Sequence, residues 1–138
     1  MAEERILYEL HPKQEQAMWL LGLVGDEENP RPVEELFFGG AAGGGKSQIM
    51  RAAAAYVALE LYPGGRSALF RRRRTELFAT HLDKIRQEIP ESLAVWKGEP
   101  EYEFRWVTGH VTQFCFCDHE DDIFGYGSYE WDAAFFDE

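Results

Sequence analysis

Gly40-Ala41-Ala42-Gly43-Gly44-Gly45-Lys46-Ser47 sets a lysine and a hydroxyl residue directly after a run of glycines. The spacing satisfies G-x-x-x-x-G-K-[ST], the pattern of a phosphate-binding P-loop, and each residue type has a task in it. Glycines let the chain curl so that successive backbone N–H groups face one anionic centre, and a following helix adds its positive end. Lys46 then reaches the β- and γ-phosphates while Ser47 offers its hydroxyl to Mg²⁺. Far along the chain, Ala133-Ala134-Phe135-Phe136-Asp137-Glu138 is an apolar run that ends in two carboxylates, the form of a Walker B segment. Asp137 would hold the hydration shell of Mg²⁺, and Glu138 would polarise the water that attacks the γ-phosphate. The two motifs predict catalytic roles for Lys46 and Glu138. Nucleotide contacts are expected from Gly40, Gly43, Gly44, Gly45, Lys46 and Ser47, and metal contacts from Ser47 and Asp137, with ATP and Mg²⁺ as cofactors.

Other residue groups are more ambiguous. Gln14 and Gln16 precede the glycine run at about the distance where many DNA-translocating ATPases carry a glutamine that reads adenine. Gln14 is the better placed, since an amide can donate to and accept from the adenine edge. The competing reading makes it part of an exposed polar helix face. Arg71-Arg72-Arg73-Arg74 falls where ligands of open α/β sheets lie, so one of these could touch phosphate, the transition state or DNA. Runs of like charge are more often solvated. Cys115, Cys117 and His119 lack a second ligand pair for a metal, and the two thiols on one strand face read as core residues. His11, His81 and His110 have no partner that the sequence names.

The elements that must position these groups follow from periodicity. Pro12 to Val24 is predicted helical, with Ala17, Leu20, Leu21 and Val24 on one face and Gly25 as terminator. A polar loop with two prolines follows. Leu36-Phe37-Phe38 is predicted as a strand entering the glycine turn, and Ser47 to Leu61 as the helix that leaves it, with Ile49, Ala52, Ala53 and Tyr56 inward. Ser67 to Phe70 is a second strand, and Thr75 to Ile89 a further helix with Phe78, Leu82, Ile85 and Ile89 on its apolar face, closed by Pro90. Tyr102, Phe104 and Trp106 alternate with polar or charged residues before the turn Thr108-Gly109, and Val111 to Cys117 returns as a strand, so a β-hairpin is inserted in the order. Ala133 to Phe136 is expected as a last buried strand. Alternating strands and helices predict an α/β fold with a parallel sheet flanked by helices.

The chain has 138 residues, enough for one domain and too few for two. With 45% hydrophobic and 14% aromatic residues it can bury a core, which speaks against intrinsic disorder. Its 25 acidic against 14 basic side chains leave a net charge of −11, the wrong sign for a domain that coats nucleic acid by itself. Any DNA contact is therefore expected to be local, or to lie in sequence beyond these residues. No apolar run approaches a membrane span and no leader pattern opens the chain, and two cysteines one residue apart suit a reducing compartment. A cytoplasmic protein without a membrane partner is expected.

The ordered set of motifs resembles the large terminase subunits of tailed bacteriophages and prophages. The likeness runs from Leu10-His11-Pro12-Lys13-Gln14 through Phe38-Gly39-Gly40 to Lys46-Ser47. It includes Leu69-Phe70-Arg71-Arg72, the Thr75-Glu76-Leu77 that follows, and the Thr108-Gly109 hairpin. It ends in the run from Tyr126-Gly127 to Asp137-Glu138. The resemblance implies a RecA-like (ASCE) P-loop NTPase, incomplete at its C-terminus, so that residues 1–138 are the N-terminal portion of an ATPase domain whose partner nuclease domain lies beyond Glu138. It implies a motor that couples ATP hydrolysis to translocation of double-stranded DNA into the procapsid. The partners implied are the portal protein and the small terminase subunit, with a homo-oligomeric ring acting in the host cytoplasm at the portal. Some members carry an arginine inside the P-loop. Ala41 and Ala42 stand there in this chain, which leaves the Arg71 cluster as the candidate replacement.

Two rivals share the same parts. One is a helicase-like DNA translocase, which a second RecA-like lobe would identify. The other is a nucleotide-binding module without turnover, because the proposed activator Glu138 is the last residue and nothing after it fixes its backbone. On that ground the isolated chain is expected to show negligible ATPase activity.

Overall fold

The computed structural model describes residues 7–22, 36, 45–116 and 130–137. Helix α1 spans Pro12–Leu20. Pro12 suits its first turn because a proline there has a preset φ and no N–H to leave unpaired. His11 caps it: its ring nitrogen accepts from the Gln14 amide N–H at 3.4 Å, while the Gln14 side chain accepts from the His11 amide at 3.0 Å. The expected run to Val24 is corrected, since Leu21 and Gly22 already form the terminal turn and Gly22 has φ 73°. Glycine adopts that left-handed conformation without a Cβ penalty, so the chain leaves the helix there. Val24 and Gly25 lie outside the described residues. The buried face is Gln14, Ala17 and Met18, and Leu20 is only partly covered.

Helix α2 spans Lys46–Tyr56 and continues as a π-helical turn over Val57–Leu61. Strand β1 is Arg66–Arg71. The predicted helix from Thr75 to Ile89 is three pieces: α3 (Arg74–Leu77), a π-helical turn (Phe78–Leu82) and α4 (Asp83–Glu88). Its apolar residues Leu82, Ile85 and Ile89 are buried as the periodicity requires, and Phe78 is partly buried. Strands β2 (Ala94–Lys97), β3 (Glu103–Trp106), β4 (Val111–Phe116) and β5 (Ala133–Phe136) complete the order. The polypeptide is a mixed α/β fold: a five-stranded sheet in the order β2-β3-β4-β1-β5, with β1 parallel to both β4 and β5 and with β2, β3 and β4 antiparallel.

Several expectations change here. The hairpin turns at Gly109, whose φ is 85°, as read from the sequence, but it is no appendage. Its second strand β4 is itself the parallel neighbour of β1, and an unforeseen strand β2 extends it outward. Ala94-Val95-Trp96 is apolar throughout although Val95 is exposed, so its residue types do not show the alternation that its burial follows. The last strand is not buried either: β5 is an edge of the described sheet, and Phe136 is 67% exposed while stacking on Phe70 at 4.7 Å. The predicted strand at Leu36-Phe37-Phe38 lies outside the described residues except for Leu36, which is exposed.

The core forms where helices cover the sheet. Leu69 and Phe114 face each other in the β1–β4 register and are fully buried, each worth roughly 2–3 kcal/mol in apolar area removed from water. Leu77, Leu82 and Ile85 pack against them from the helical segment. A second cluster joins Met18 of α1 to Ile49 and Ala53 of α2, with Ala133 and Phe135 of β5 alongside. It fixes α1 and α2 against the strand that ends in Asp137. Among the described residues no helix is long and apolar enough to cross a membrane.

Candidate functional site

Gly45 opens α2 with φ 79°, and a Cβ there would run into the Gln14 amide and lie 3.1 Å from the His11 ring. Both the left-handed backbone and the close approach of α1 therefore demand glycine. Lys46 and Ser47 follow in the first turn of α2. The two carboxylates were expected to meet this turn from the far end of the sequence. Because β1 and β5 run parallel and in register, Arg71 and Asp137 leave the sheet at the same edge. Asp137 extends the ladder by donating its N–H to the Phe70 carbonyl at 2.9 Å.

The Asp137 side chain is buried and one oxygen collects three donors. Ser47 Oγ donates to Oδ2 at 2.9 Å, Arg71 Nη1 at 3.0 Å and His81 Nε2 at 2.7 Å. The His81 hydrogen bond, followed by that of Ser47 and the positive field of Arg71, holds the Asp137 carboxyl down to about 2 against the cost of burial. Burial pushes the His81 imidazole below its ordinary value, so the ring is neutral at pH 7. A carboxylate only accepts, which places the His81 proton on Nε2; Nδ1 is buried without a hydrogen-bond partner among the described residues.

Of the residues read from the sequence, the structure brings Gly45, Ser47, Asp137 and Gln14 together. Lys46 stands one residue from Ser47. Gly40, Gly43, Gly44 and Glu138 lie outside the described residues. Gln14 is not on an exposed face. It is fully buried, its amide oxygen accepts from His11 N–H, and its nitrogen donates to the Gly45 carbonyl at 2.9 Å, so it pins α1 to the start of α2. Gln16 is exposed. Within the arginine run only Arg71 reaches the site, and it also meets Glu76 at 3.5 Å. Arg72 and Arg73 face solvent, and Arg74 lies over the Phe116 ring. Cys115 is buried in β4; Cys117 and His119 are outside the described residues.

The residues that sequence reasoning missed are His81 and Arg51. Arg51 is buried, pairs with Glu88 at 2.6 Å and donates to the Thr80 carbonyl at 3.1 Å, bracing α2 against the π-helical turn that carries His81. Tyr8 is partly buried beside this pair, and the burial of its hydroxyl together with the Glu88 charge raises it well above the usual phenol range. The only available signal was position: His81 and Arg51 fall on otherwise inward-facing helix stretches. A second buried polar group sits away from the acid cluster, where His110 bridges the Tyr62 carbonyl at 2.7 Å and Ser67 Oγ at 2.8 Å.

The donor set can be judged for a divalent cation. Ser47 and Asp137 supply hard oxygen donors, Asp137 is ionised at any ordinary pH, and no described protein group bonds its Oδ1. Such oxygens fit Mg²⁺, which keeps waters and takes its remaining ligands from a bound phosphate. Among the described residues no three His, Cys, Asp or Glu side chains gather into a metal cage. Comparison with protein-family models, with curated proteins and with solved structures returns no match.

Proposed function

We propose that this chain is the nucleotide-binding part of a P-loop ATPase motor of the large terminase kind, coupling ATP hydrolysis to the movement of double-stranded DNA into a procapsid. The observation that carries the ATPase reading is the 2.9 Å bond between Ser47 and Asp137. These are the hydroxyl of the G-x-x-x-x-G-K-[ST] run and the acid of the terminal apolar strand, and their convergence is what a shared magnesium–triphosphate requires. The terminase attribution is supported by the ordered motif set from Pro12-Lys13-Gln14 to Asp137-Glu138.

Within this reading, the backbone N–H groups at the start of α2 and the Lys46 ammonium bind the phosphates and offset their charge. Ser47 and Asp137 would hold the cation, whose positive charge would offset that of the phosphates. Glu138 holds the attacking water and takes its proton. Arg71, one bond from Asp137, supplies positive charge beside the metal site. Gln14 acts through position, fixing Gly45 and hence the entry to the phosphate-binding turn. The net charge of −11 confines DNA contact to local basic patches, with the portal, the small subunit and neighbouring copies in a ring as partners.

A titration with fluorescent mant-ATP in Mg²⁺ tests this. The wild-type chain is expected to bind, with Lys46→Ala and Asp137→Ala weakened at least tenfold while thermal unfolding still shows a cooperative fold. Absence of binding at millimolar nucleotide, or an unaffected Lys46→Ala, would overturn the assignment.

A further inference from the structure

Ser47 and Arg51 lie four residues apart on α2 and so share one face of the helix. Ser47 reaches Asp137 and Arg51 reaches the Thr80 carbonyl, next to His81. His81 closes the circuit by donating to the same Asp137 oxygen that Ser47 holds. The imidazole is fully buried, and it sits within the π-helical turn Phe78–Leu82. π-turns of this sort recur where a helix must aim a functional side chain. Among the described residues every side-chain donor on Asp137 meets Oδ2, and none bonds Oδ1.

We propose that His81 is the positioning residue that sets the Asp137 carboxylate for magnesium, fixing Oδ2 through Nε2–H so that Oδ1 faces the cation and its waters. The inference rests on the nucleotide-binding reading and goes beyond it, since neither motif of that reading contains a histidine. The physical logic is that of outer-shell support: a carboxylate locked in one rotamer loses no orientational freedom when the metal arrives, and loss of such support costs about 10–100-fold in metal affinity. Ser47 cannot supply this alone, because its hydroxyl is itself wanted by the cation. Arg71 cannot do so either, because its guanidinium is shared with Glu76 and stands nearer solvent.

The test is the Mg²⁺ concentration that half-saturates the magnesium-dependent part of mant-ATP binding, measured beside binding in EDTA. His81→Asn, whose amide is too short to reach Asp137, should raise that midpoint about 10–100-fold with EDTA binding unchanged. His81→Gln, whose amide nitrogen can stand where Nε2 stood, should restore it. An unmoved midpoint in His81→Asn, or an equal loss of binding in EDTA, overturns the role of His81 while leaving the nucleotide site standing. No mant-ATP binding by the wild type sinks the nucleotide reading itself. Should His81→Asn fail to fold, the wild type still decides: the His81 Nε2–H NMR signal must shift when Mg²⁺ joins the nucleotide complex, and an unchanged signal refutes the proposal.

Discussion

Ser47 and Asp137, 90 positions apart in the chain, share a 2.9 Å hydrogen bond that ties the first turn of α2 to the end of β5. Removing the charge should reveal how much rests on it. Asp137→Asn can still turn its carbonyl oxygen to the three donors, but those bonds lose the carboxylate's charge. Hydrogen bonds to a charged group contribute about 1.5–3 kcal/mol against about 0.5–1.5 kcal/mol for neutral ones, so the urea midpoint should fall at constant m-value. A midpoint equal to wild type would mean that the carboxylate charge contributes nothing net.

Acid should act on the same residue. The folded Asp137 carboxyl is held at about 2, below the ~3.9 of an unfolded aspartate, so between these values the unfolded chain binds the extra proton. Its stabilisation is fully present above pH ~4 and is lost as the pH falls through the folded value. Urea midpoints measured from pH 5 down to pH 2.5 should decline more steeply in wild type than in Asp137→Asn. Parallel curves would refute the depressed value.

Among the described residues the two fully buried histidines, His81 and His110, should hold opposite tautomers. His81 must carry its proton on Nε2 to donate to Asp137, whereas His110 must carry its proton on Nδ1 to donate to the Tyr62 carbonyl. His110 Nε2 then accepts from Ser67, Ser67 from Thr112, and Thr112 from the Trp106 indole at 2.9 Å, so each proton has one direction. Burial lowers both imidazoles, so the unfolded chain protonates first and stability falls as the pH drops below ~6.5. Long-range ¹H–¹⁵N correlation at neutral pH distinguishes the tautomers, and identical patterns for the two rings would contradict the network.

Gly45 and Gly64 form a matched pair. Both have positive φ, 79° and 76°, but an added Cβ meets Gln14 at Gly45 and nothing within 4 Å at Gly64. Gly64→Ala should cost about 1 kcal/mol, the left-handed penalty alone. Gly45→Ala should cost clearly more and loosen α1, read as a lower thermal midpoint and faster amide exchange in α1. Equal costs would show that the contact with Gln14 yields freely.

Much was legible in the residues themselves. Gly109 in its turn, the alternation of Phe104 and Trp106, and the inward set Leu82, Ile85 and Ile89 are local consequences of backbone geometry and period, and they stand where the pattern put them. Also legible was the pairing of a glycine-lysine-serine turn with a distant acidic strand end, because each motif is written in consecutive residues. What the sequence alone could not decide was which donors meet at Asp137. His81 and Arg71 reach it across 56 and 66 residues, and Gln14 reaches Gly45 across 31. Those contacts depend on the parallel register of β1 with β5 and on where the π-helical turn that carries His81 lies against the sheet. Register and helix phase are settled by the packing of the whole sheet against its helices, a property of the folded chain that no short window of residues contains.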